Sequence, residues 1–210
     1  MIDKIHCEKR VGLDVHTQLI ALLNAIRGGW KPPLHISEEE YNLVRTQRDK
    51  YPDYYVGLVG FCATFGAKYF GGYARGFKAD KVTPRDVPNE AIRNLLKQAP
   101  ALKDIKFLNI SYDGYDYDKI KTPSVIYCDI PYSNSTGYST AQFSHEAFWE
   151  WARAMSKKHY LLVSEYTAPN DFVEVWHKET TTSLKLHEHE HRTEKIFTYC
   201  NGLYANEYLK

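Results

Sequence analysis

Four residues that directly follow a short apolar run have the types and spacing needed to act on a bound ligand. The run, residues 124–128, is rich in β-branched, aromatic and apolar side chains, as in a buried parallel strand. It leads into Asp129, Ile130, Pro131 and Tyr132. Ligands bind at the carboxyl ends of strands in open α/β sheets, so we expect this carboxylate and this tyrosine to face a ligand. Position alone leaves open that Asp129 only caps a following turn.

A second acid stands in a similar position near the start of the chain. Asp14 ends the short apolar stretch 10–14, and residues 15–26 have the apolar spacing of an amphipathic helix. In nucleotide-binding α/β folds, an acid at the end of a strand accepts hydrogen bonds from ribose hydroxyls. The alternative is that Asp14 is only the N-cap of the helix.

Residues 65–85 combine positive charge, aromatic rings and glycines. This segment holds five basic residues and one acid, although the formal net charge of the whole chain is only +1. Basic side chains among aromatics and glycines suit contact with a nucleic-acid backbone. The alternative is a solvated amphipathic helix.

Two other features point away from metal or thiol chemistry. Residues 187–191 read HEHEH, but they lack the thiolates or helical carboxylate–histidine pairs of a metal site, so an exposed polar hairpin is favoured and no metal is expected. Cys128 lies inside the predicted strand without a neighbouring base, which favours an inert core thiol over a nucleophile.

The composition of the 210 residues limits where the protein acts. The sequence contains no apolar run of the roughly 18 residues that span a bilayer, and its first residues lack a signal-peptide core. The four cysteines have no short spacing, which favours a reducing compartment. We therefore predict a cytoplasmic protein that does not contact membranes.

The elements that must position these residues alternate between strand and helix. Strands are predicted at 10–14, 105–110, 125–128, 160–164, 172–176 and 196–199. Helices are predicted at 15–26, from Ser37 toward Asp49, at 89–98 with Asn89 as the N-cap, and after Ser144. This order predicts an α/β fold with a mostly parallel, doubly wound sheet and a C-terminal antiparallel pair of strands joined by a polar hairpin.

The residues 129–132 resemble the Asp-Pro-Pro-Tyr signature of amino-group DNA methyltransferases, as arranged in Dam-like, phage-type adenine-N6 enzymes. The resemblance extends over nearly the whole chain. It includes the acid-ended strand at Asp14 and the segments FGAKYFGGYAR, Thr136-Gly137-Tyr138, FSHEAFWEWARAMS, VSEYTAPNDF and RTEKIFTY. It implies a Rossmann-like fold and a methyltransferase activity that depends on S-adenosylmethionine. In this arrangement, residues 1–30 and 101–210 form the catalytic domain, and residues 31–100 form a helical insertion for target recognition.

The resemblance also implies roles for individual residues. The Asp129 carboxylate and the Ile130 carbonyl would accept the two N–H groups of a flipped adenine, Pro131 would stiffen the loop, and Tyr132 would stack on the base. Asp14, Ser111, Tyr112 and Asp129 would surround the cofactor. Double-stranded DNA would be contacted by Lys68, Tyr73, Arg75, Lys78, Thr136 and Tyr138.

The sequence departs from the family pattern at two places. Ile130 replaces the usual proline, but its main-chain carbonyl is kept, so we expect a tolerated change. The glycine-rich cofactor loop and the strand before it are missing from the front of the sequence. We therefore expect the isolated chain to bind S-adenosylmethionine poorly, to show little or no methyltransferase activity, and to associate with itself or a second chain. Two rival functions are a DNA-binding or regulatory remnant of such an enzyme, and methylation of RNA or protein amides.

Overall fold

The computed structural model describes residues 2–120, 123–132, 143–185 and 188–209, except for the side chains of Ala67 and residues 180–192. The chain divides into two compact units, Met1–Tyr115 and Asp116–Lys210. The predicted insertion at 31–100 lies within the first unit. Its assignment to target recognition stays a prediction.

The first unit contains a parallel pair of strands. Strand β1 (Arg10–Asp14) pairs with β4 (Ile105–Asn109), and Asp14 lies opposite Asn109. Both strands lie where the sequence predicts them. Because the strands are parallel, the residues that follow Asp14 and Asn109 leave the sheet at the same edge.

Helices pack beside this pair around a core that includes Ile20, Val44, Leu58 and Ile92. The α-helices of the first unit are α1 (Thr17–Arg27), α2 (Glu38–Thr46), α3 (Asp53–Cys62) and α4 (Val87–Leu102). Helices α1 and α3 approach each other closely at Gly57, where an added Cβ would lie 2.2 Å from the main-chain oxygen of Gln18. Only glycine allows this contact.

Two helix boundaries differ from the prediction. Helix α2 begins after Ser37, whose Oγ accepts the Glu40 N–H as predicted, but it ends at Thr46 and does not reach Asp49. The prediction that Asn89 caps α4 is wrong. Asp86 is the cap, and its carboxylate accepts the Asn89 N–H at 3.0 Å, because an aspartate three residues earlier provides the acceptor that the first turn needs.

The basic segment folds largely as turns and a short hairpin. Thr64 and Tyr73 form an isolated antiparallel bridge, and β2 (Gly76–Phe77) then pairs with β3 (Pro84–Arg85). The alternative of a solvated amphipathic helix is therefore wrong for residues 68–85.

The second unit contains a mixed sheet of order β5-β6-β8-β7. Its strands are β5 (Val125–Asp129), β6 (Tyr160–Glu165), β7 (Phe172–Lys185) and β8 (Glu188–Tyr199), with helices α5 (His145–Ser156) and α6 (Leu203–Tyr208). Strands β5 and β6 are parallel, whereas β8 is antiparallel to both β6 and β7. Strands β7 and β8 are longer than predicted, since the polar residues between 177 and 195 continue the pairing.

The predicted α/β class and the C-terminal antiparallel pair are confirmed. Parallel pairing occurs in both units, but β8 pairs in antiparallel fashion on both sides, so its sheet is mixed. The Rossmann-like methyltransferase fold stays a prediction. None of the helices in the described residues has the length and apolar composition needed to cross a bilayer.

Candidate active site

All four predicted catalytic residues lie at the carboxyl end of β5. Asp129 is the last residue of β5 and lies opposite Ser164 of β6 in the parallel register. The residues after both strands therefore leave the sheet at one edge, where open α/β sheets bind ligands.

Each residue of the loop Ile130–Tyr132 is held in place by neighbouring residues of the second unit. The Ile130 side chain is buried, with 7% of its surface exposed. The Pro131 carbonyl accepts a hydrogen bond from His145 Nε2 at 2.9 Å. The Tyr132 hydroxyl lies 3.1 Å from the Ser164 hydroxyl. These contacts hold the loop against α5 and β6.

The Asp129 carboxyl has a modified electrostatic environment. The residue is exposed overall, yet protein atoms around its carboxyl displace part of the water, and this partial desolvation raises its pKa. The charge of Glu194 on β8 raises the pKa further. An acid whose ionised form is disfavoured accepts hydrogen bonds and positive charge more strongly than a fully hydrated carboxylate.

Two aromatic rings meet beside this carboxyl. The centroids of Tyr132 and Tyr166 lie 4.5 Å apart with 33° between the ring planes. Tyr166 directly follows β6, so the ends of both parallel strands contribute to the pair. The contact fixes the orientation of the Tyr132 ring.

Cys128 has the properties of the predicted inert thiol. Desolvation by burial, followed by the nearby charge of Asp129, raises the pKa of its thiol to about 12. Because the thiolate is the reactive form, such a thiol is a poor nucleophile.

A small cavity of about 220 Å³ lies next to the loop. It is lined by His145, Trp149, Glu165, Thr167, Ala168 and Pro169. Glu165 ends β6 and is 1% exposed, and its Oε1 accepts the Tyr166 N–H at 2.7 Å. The sequence prediction assigned no role to His145, Ser164, Glu165 or Tyr166. The signal for the last three was the polar Ser-Glu-Tyr that ends a buried strand, whereas nothing in the sequence singled out His145.

The second predicted site lies in the first unit, at the carboxyl edge of β1 and β4. Asp14 is half-buried, and its Oδ1 accepts the His16 N–H at 2.7 Å. The N-cap of α1 is His16, whose Nδ1 accepts the Leu19 N–H at 3.3 Å, so the alternative of Asp14 as the cap is wrong. Asn109 donates to the main-chain oxygen of Asp14 at 3.0 Å.

Ser111 and Tyr112 follow β4 at this same edge. Both are half-buried, and the Ser111 main-chain oxygen accepts the Gly114 N–H in a short turn. The carboxyl edge of β1 and β4 therefore carries a carboxylate together with half-buried hydroxyl and aromatic residues. None of the connections from a strand to a helix in the described residues contains a glycine-rich turn.

The predicted DNA-binding residues have different environments. The Tyr73 hydroxyl donates to the Ile36 carbonyl at 2.8 Å, and its ring packs edge-on against Tyr41, so Tyr73 contributes to packing in the first unit, and its contact with DNA stays a prediction. The Arg75 guanidinium forms a two-bond ion pair with Glu38, which offsets its charge.

Lysines supply the remaining charge of the segment. Lys68, Lys78 and Lys81 are exposed, and no ion pair is found for them among the described residues. Phe77, 60% exposed, and Val82, 77% exposed, lie beside two of these lysines on the β2–β3 hairpin. The hairpin therefore presents positive and apolar groups together.

Some predicted residues lie outside the described part of the chain. These are Thr136 and Tyr138, and His187 of the HEHEH stretch, while the other side chains of that stretch are also not described. Within the residues that the structure describes, no cluster of three histidine, cysteine or acidic side chains could hold a metal ion.

A scan of protein-family models finds none that matches the chain, and a search of curated proteins finds no significant match.

Proposed function

We propose that the chain acts in adenine-N6 methylation of DNA, with transfer of a methyl group from S-adenosylmethionine to a flipped adenine. The observation that carries the proposal is the Asp129–Tyr132 loop. It joins a partly desolvated carboxyl, main-chain carbonyls and an oriented tyrosine at the carboxyl end of a parallel strand.

The loop would provide hydrogen-bond acceptors that make the amine of adenine more nucleophilic. The nitrogen is a poor nucleophile because its lone pair is delocalised into the ring. The Asp129 carboxylate and the Ile130 carbonyl would accept its two N–H groups and stabilise the pyramidal geometry in which the lone pair is available. The raised pKa of Asp129 favours this role, since positive charge develops on the nitrogen as the bond forms. S-adenosylmethionine, when bound, supplies the electrophilic methyl group.

Tyr132 would hold the flipped base by stacking, a contact worth about 1–3 kcal/mol. Its hydroxyl contact with Ser164 and its ring contact with Tyr166 reduce the number of orientations the ring can adopt. The base would therefore meet a preformed surface.

In this proposal, the first unit supplies cofactor and DNA contacts. Asp14 would accept hydrogen bonds from the ribose hydroxyls, and Ser111 and Tyr112 would lie along the adenine of the cofactor. The β2–β3 hairpin would contact the duplex through Lys78, since the major groove admits a two-stranded ribbon. Lys68 would contact phosphates.

A second candidate function is a DNA-binding subunit that does not transfer methyl groups by itself. The lack of a glycine-rich turn in the described strand-to-helix connections favours it. In that case, a second chain or another copy of this one would complete the cofactor site.

The experiment is a methyl-transfer assay on the purified chain, alone and reconstituted with a second chain that supplies a glycine-rich cofactor loop, because little activity is expected of the chain alone. It is incubated with S-adenosylmethionine labelled in the methyl group and with unmethylated genomic DNA of mixed sequence, RNA or a glutamine-rich protein. The proposal predicts N6-methyladenine in the DNA by mass spectrometry. Label only in RNA or protein would contradict it, and DNA binding without label would favour the second candidate.

A further inference from the structure

We infer that His145 is a positioning residue that holds the Asp129–Tyr132 loop through the Pro131 carbonyl. The inference rests on the proposed function for its catalytic consequence. The anchor itself follows from the 2.9 Å hydrogen bond between His145 Nε2 and the Pro131 oxygen. A carbonyl oxygen can only accept, so Nε2 must carry the proton.

The start of α5 determines where His145 lies. Ser144 is the N-cap, and its Oγ accepts the Ala147 N–H at 3.2 Å, which makes His145 the first residue of the helix. The Phe143 ring packs edge-on against the imidazole with a centroid distance of 4.9 Å. The imidazole is therefore held by the capped helix and an aromatic neighbour, and is only 29% exposed.

A buried carboxyl group lies near the same imidazole nitrogen. Glu165 Oε2 is 3.9 Å from His145 Nε2, too far for a direct hydrogen bond, whereas the Pro131 oxygen at 2.9 Å is close enough to accept one. Glu165 is itself fixed, because its Oε1 accepts the Tyr166 N–H. The end of β6 thus places Glu165 near the imidazole, and His145 holds Pro131.

This anchor has a specific purpose in this chain. Ile130 stands where a proline would stiffen the loop, so the main chain must be fixed by contacts. The His145 bond immobilises the carbonyl that directly follows Ile130. A hydrogen-bond acceptor displaced by about 1 Å can reduce the rate about 100-fold, so a fixed main chain matters for the adenine amine.

The test uses two variants of His145, one that keeps a hydrogen-bond donor for the Pro131 carbonyl and one that removes it. His145→Gln keeps an N–H near the position of Nε2, whereas His145→Phe keeps a ring and removes the donor. We expect kcat for methyl transfer to fall at least about tenfold in the Phe variant. KM for DNA should change by less than about twofold, and the Gln variant should recover most of the rate. His177→Gln is the matched control, because His177 is 62% exposed on β7.

A second measurement tests the anchor without any activity. Long-range ¹⁵N–¹H spectra should show His145 protonated at Nε2, and amide exchange at Tyr132 should rise in the Phe variant but not in the Gln variant. If His145→Phe fails to fold, the spectra of the wild type and the Gln variant still decide the question. A wild-type imidazole protonated only at Nδ1 would overturn the inference, as would unchanged kcat and exchange in a folded Phe variant. A confirmed anchor in a chain that methylates no nucleic acid, even when a second chain supplies the glycine-rich loop, would instead refute the proposed function.

Discussion

Two parallel strands of this chain end in an aspartate, and the surroundings of the two carboxylates differ. At the end of β1, the Asp14 carboxylate accepts a main-chain N–H from His16, and Asn109 binds the adjacent carbonyl. At the end of β5, partial desolvation and Glu194 raise the pKa of Asp129. In the proposed function, the Asp14 carboxylate would hold a ligand hydroxyl. The Asp129 carboxylate, which gains from positive charge nearby, would act on a reacting amine.

The comparison shows that an acid at a strand end is not enough to define a role. Both acids follow an apolar strand, and both were predicted from the same pattern. What separates them is the set of neighbours that folding brings from distant parts of the chain. Glu194 lies on β8, the last strand along the chain, 65 positions in the sequence from Asp129.

The largest expected effect separates Asp129 from Asp14 by the rate of methyl transfer. Asp129→Ala should lower kcat for methyl transfer by at least about 100-fold, because it removes an acceptor aligned with the reacting amine. Binding of duplex DNA should stay within about twofold of the wild type. The control is Asp104→Ala, an exposed acid before β4. A near-normal rate with a labelled methyl donor would show that this loop is not the catalytic one.

The second-largest expected effect separates Asp14 from Asp129 by the affinity for S-adenosylmethionine. Asp14→Asn keeps an oxygen for the His16 N–H but removes the charge that would bind the ribose hydroxyls. We expect the Kd for S-adenosylmethionine to rise about tenfold, with kcat at saturation nearly unchanged. Isothermal titration measures the change, with Asp104→Asn as the control. Equal affinity in the variant and the wild type would remove Asp14 from the cofactor site.

A smaller effect concerns the basic segment of the first unit. Replacing Lys68 and Lys78 by alanine should weaken duplex binding and reduce the slope of log K against log salt by about one unit per lost phosphate contact. Replacing Arg75 and Arg85 removes the same charge, but these side chains are paired with Glu38 and Glu90. The arginine variant should therefore lose less affinity for DNA than the lysine variant. Equal losses of affinity in the two variants would show that the ion pairs open when DNA binds.

The smallest effect is on stability and has opposite signs at two acids. Arg153 donates to Asp171 at 2.6 and 2.9 Å and lowers its pKa, chiefly through these hydrogen bonds. The stabilisation by Asp171 is thus present above the unfolded pKa of about 3.9 and is lost as the pH falls through the folded value. Because this pair is partly exposed, Asp171→Asn should cost less than about 1 kcal/mol at pH 7.

Asp129 should behave in the opposite way. Its raised pKa means that the ionised carboxylate destabilises the fold above its folded pKa, and this penalty disappears below the unfolded value. Asp129→Asn should therefore increase the free energy of unfolding at pH 7 and leave it unchanged at pH values where both states are protonated. Urea titrations at several pH values measure the sign of the change in the free energy of unfolding for both Asp171→Asn and Asp129→Asn. A loss of stability at pH 7 would indicate that the carboxylate has a favourable partner.

Some elements could be predicted because their composition alone identifies them. Strands β1, β5 and β6 lie within about one residue of their predicted positions, since each is a short apolar run with clear boundaries. Helix α3 was not predicted. Its residues from Val56 to Gly60 are all buried, so it has no polar face to give a helical period. The full lengths of β7 and β8 were also missed, because polar residues that pair across a hairpin look like a loop in the sequence.

The sequence by itself determined that an aspartate and a tyrosine follow a parallel strand, because strand composition and turn residues are local properties. It also determined the positive charge between residues 65 and 85. Only the tertiary structure decided which of those charges are offset, since Arg75 meets Glu38 across 37 positions. It likewise decided that His145 holds Pro131 and that Glu194 acts on Asp129. Hydrogen bonds and charge interactions depend on distances of a few ångströms, and those distances are set by packing between elements that are remote in the sequence.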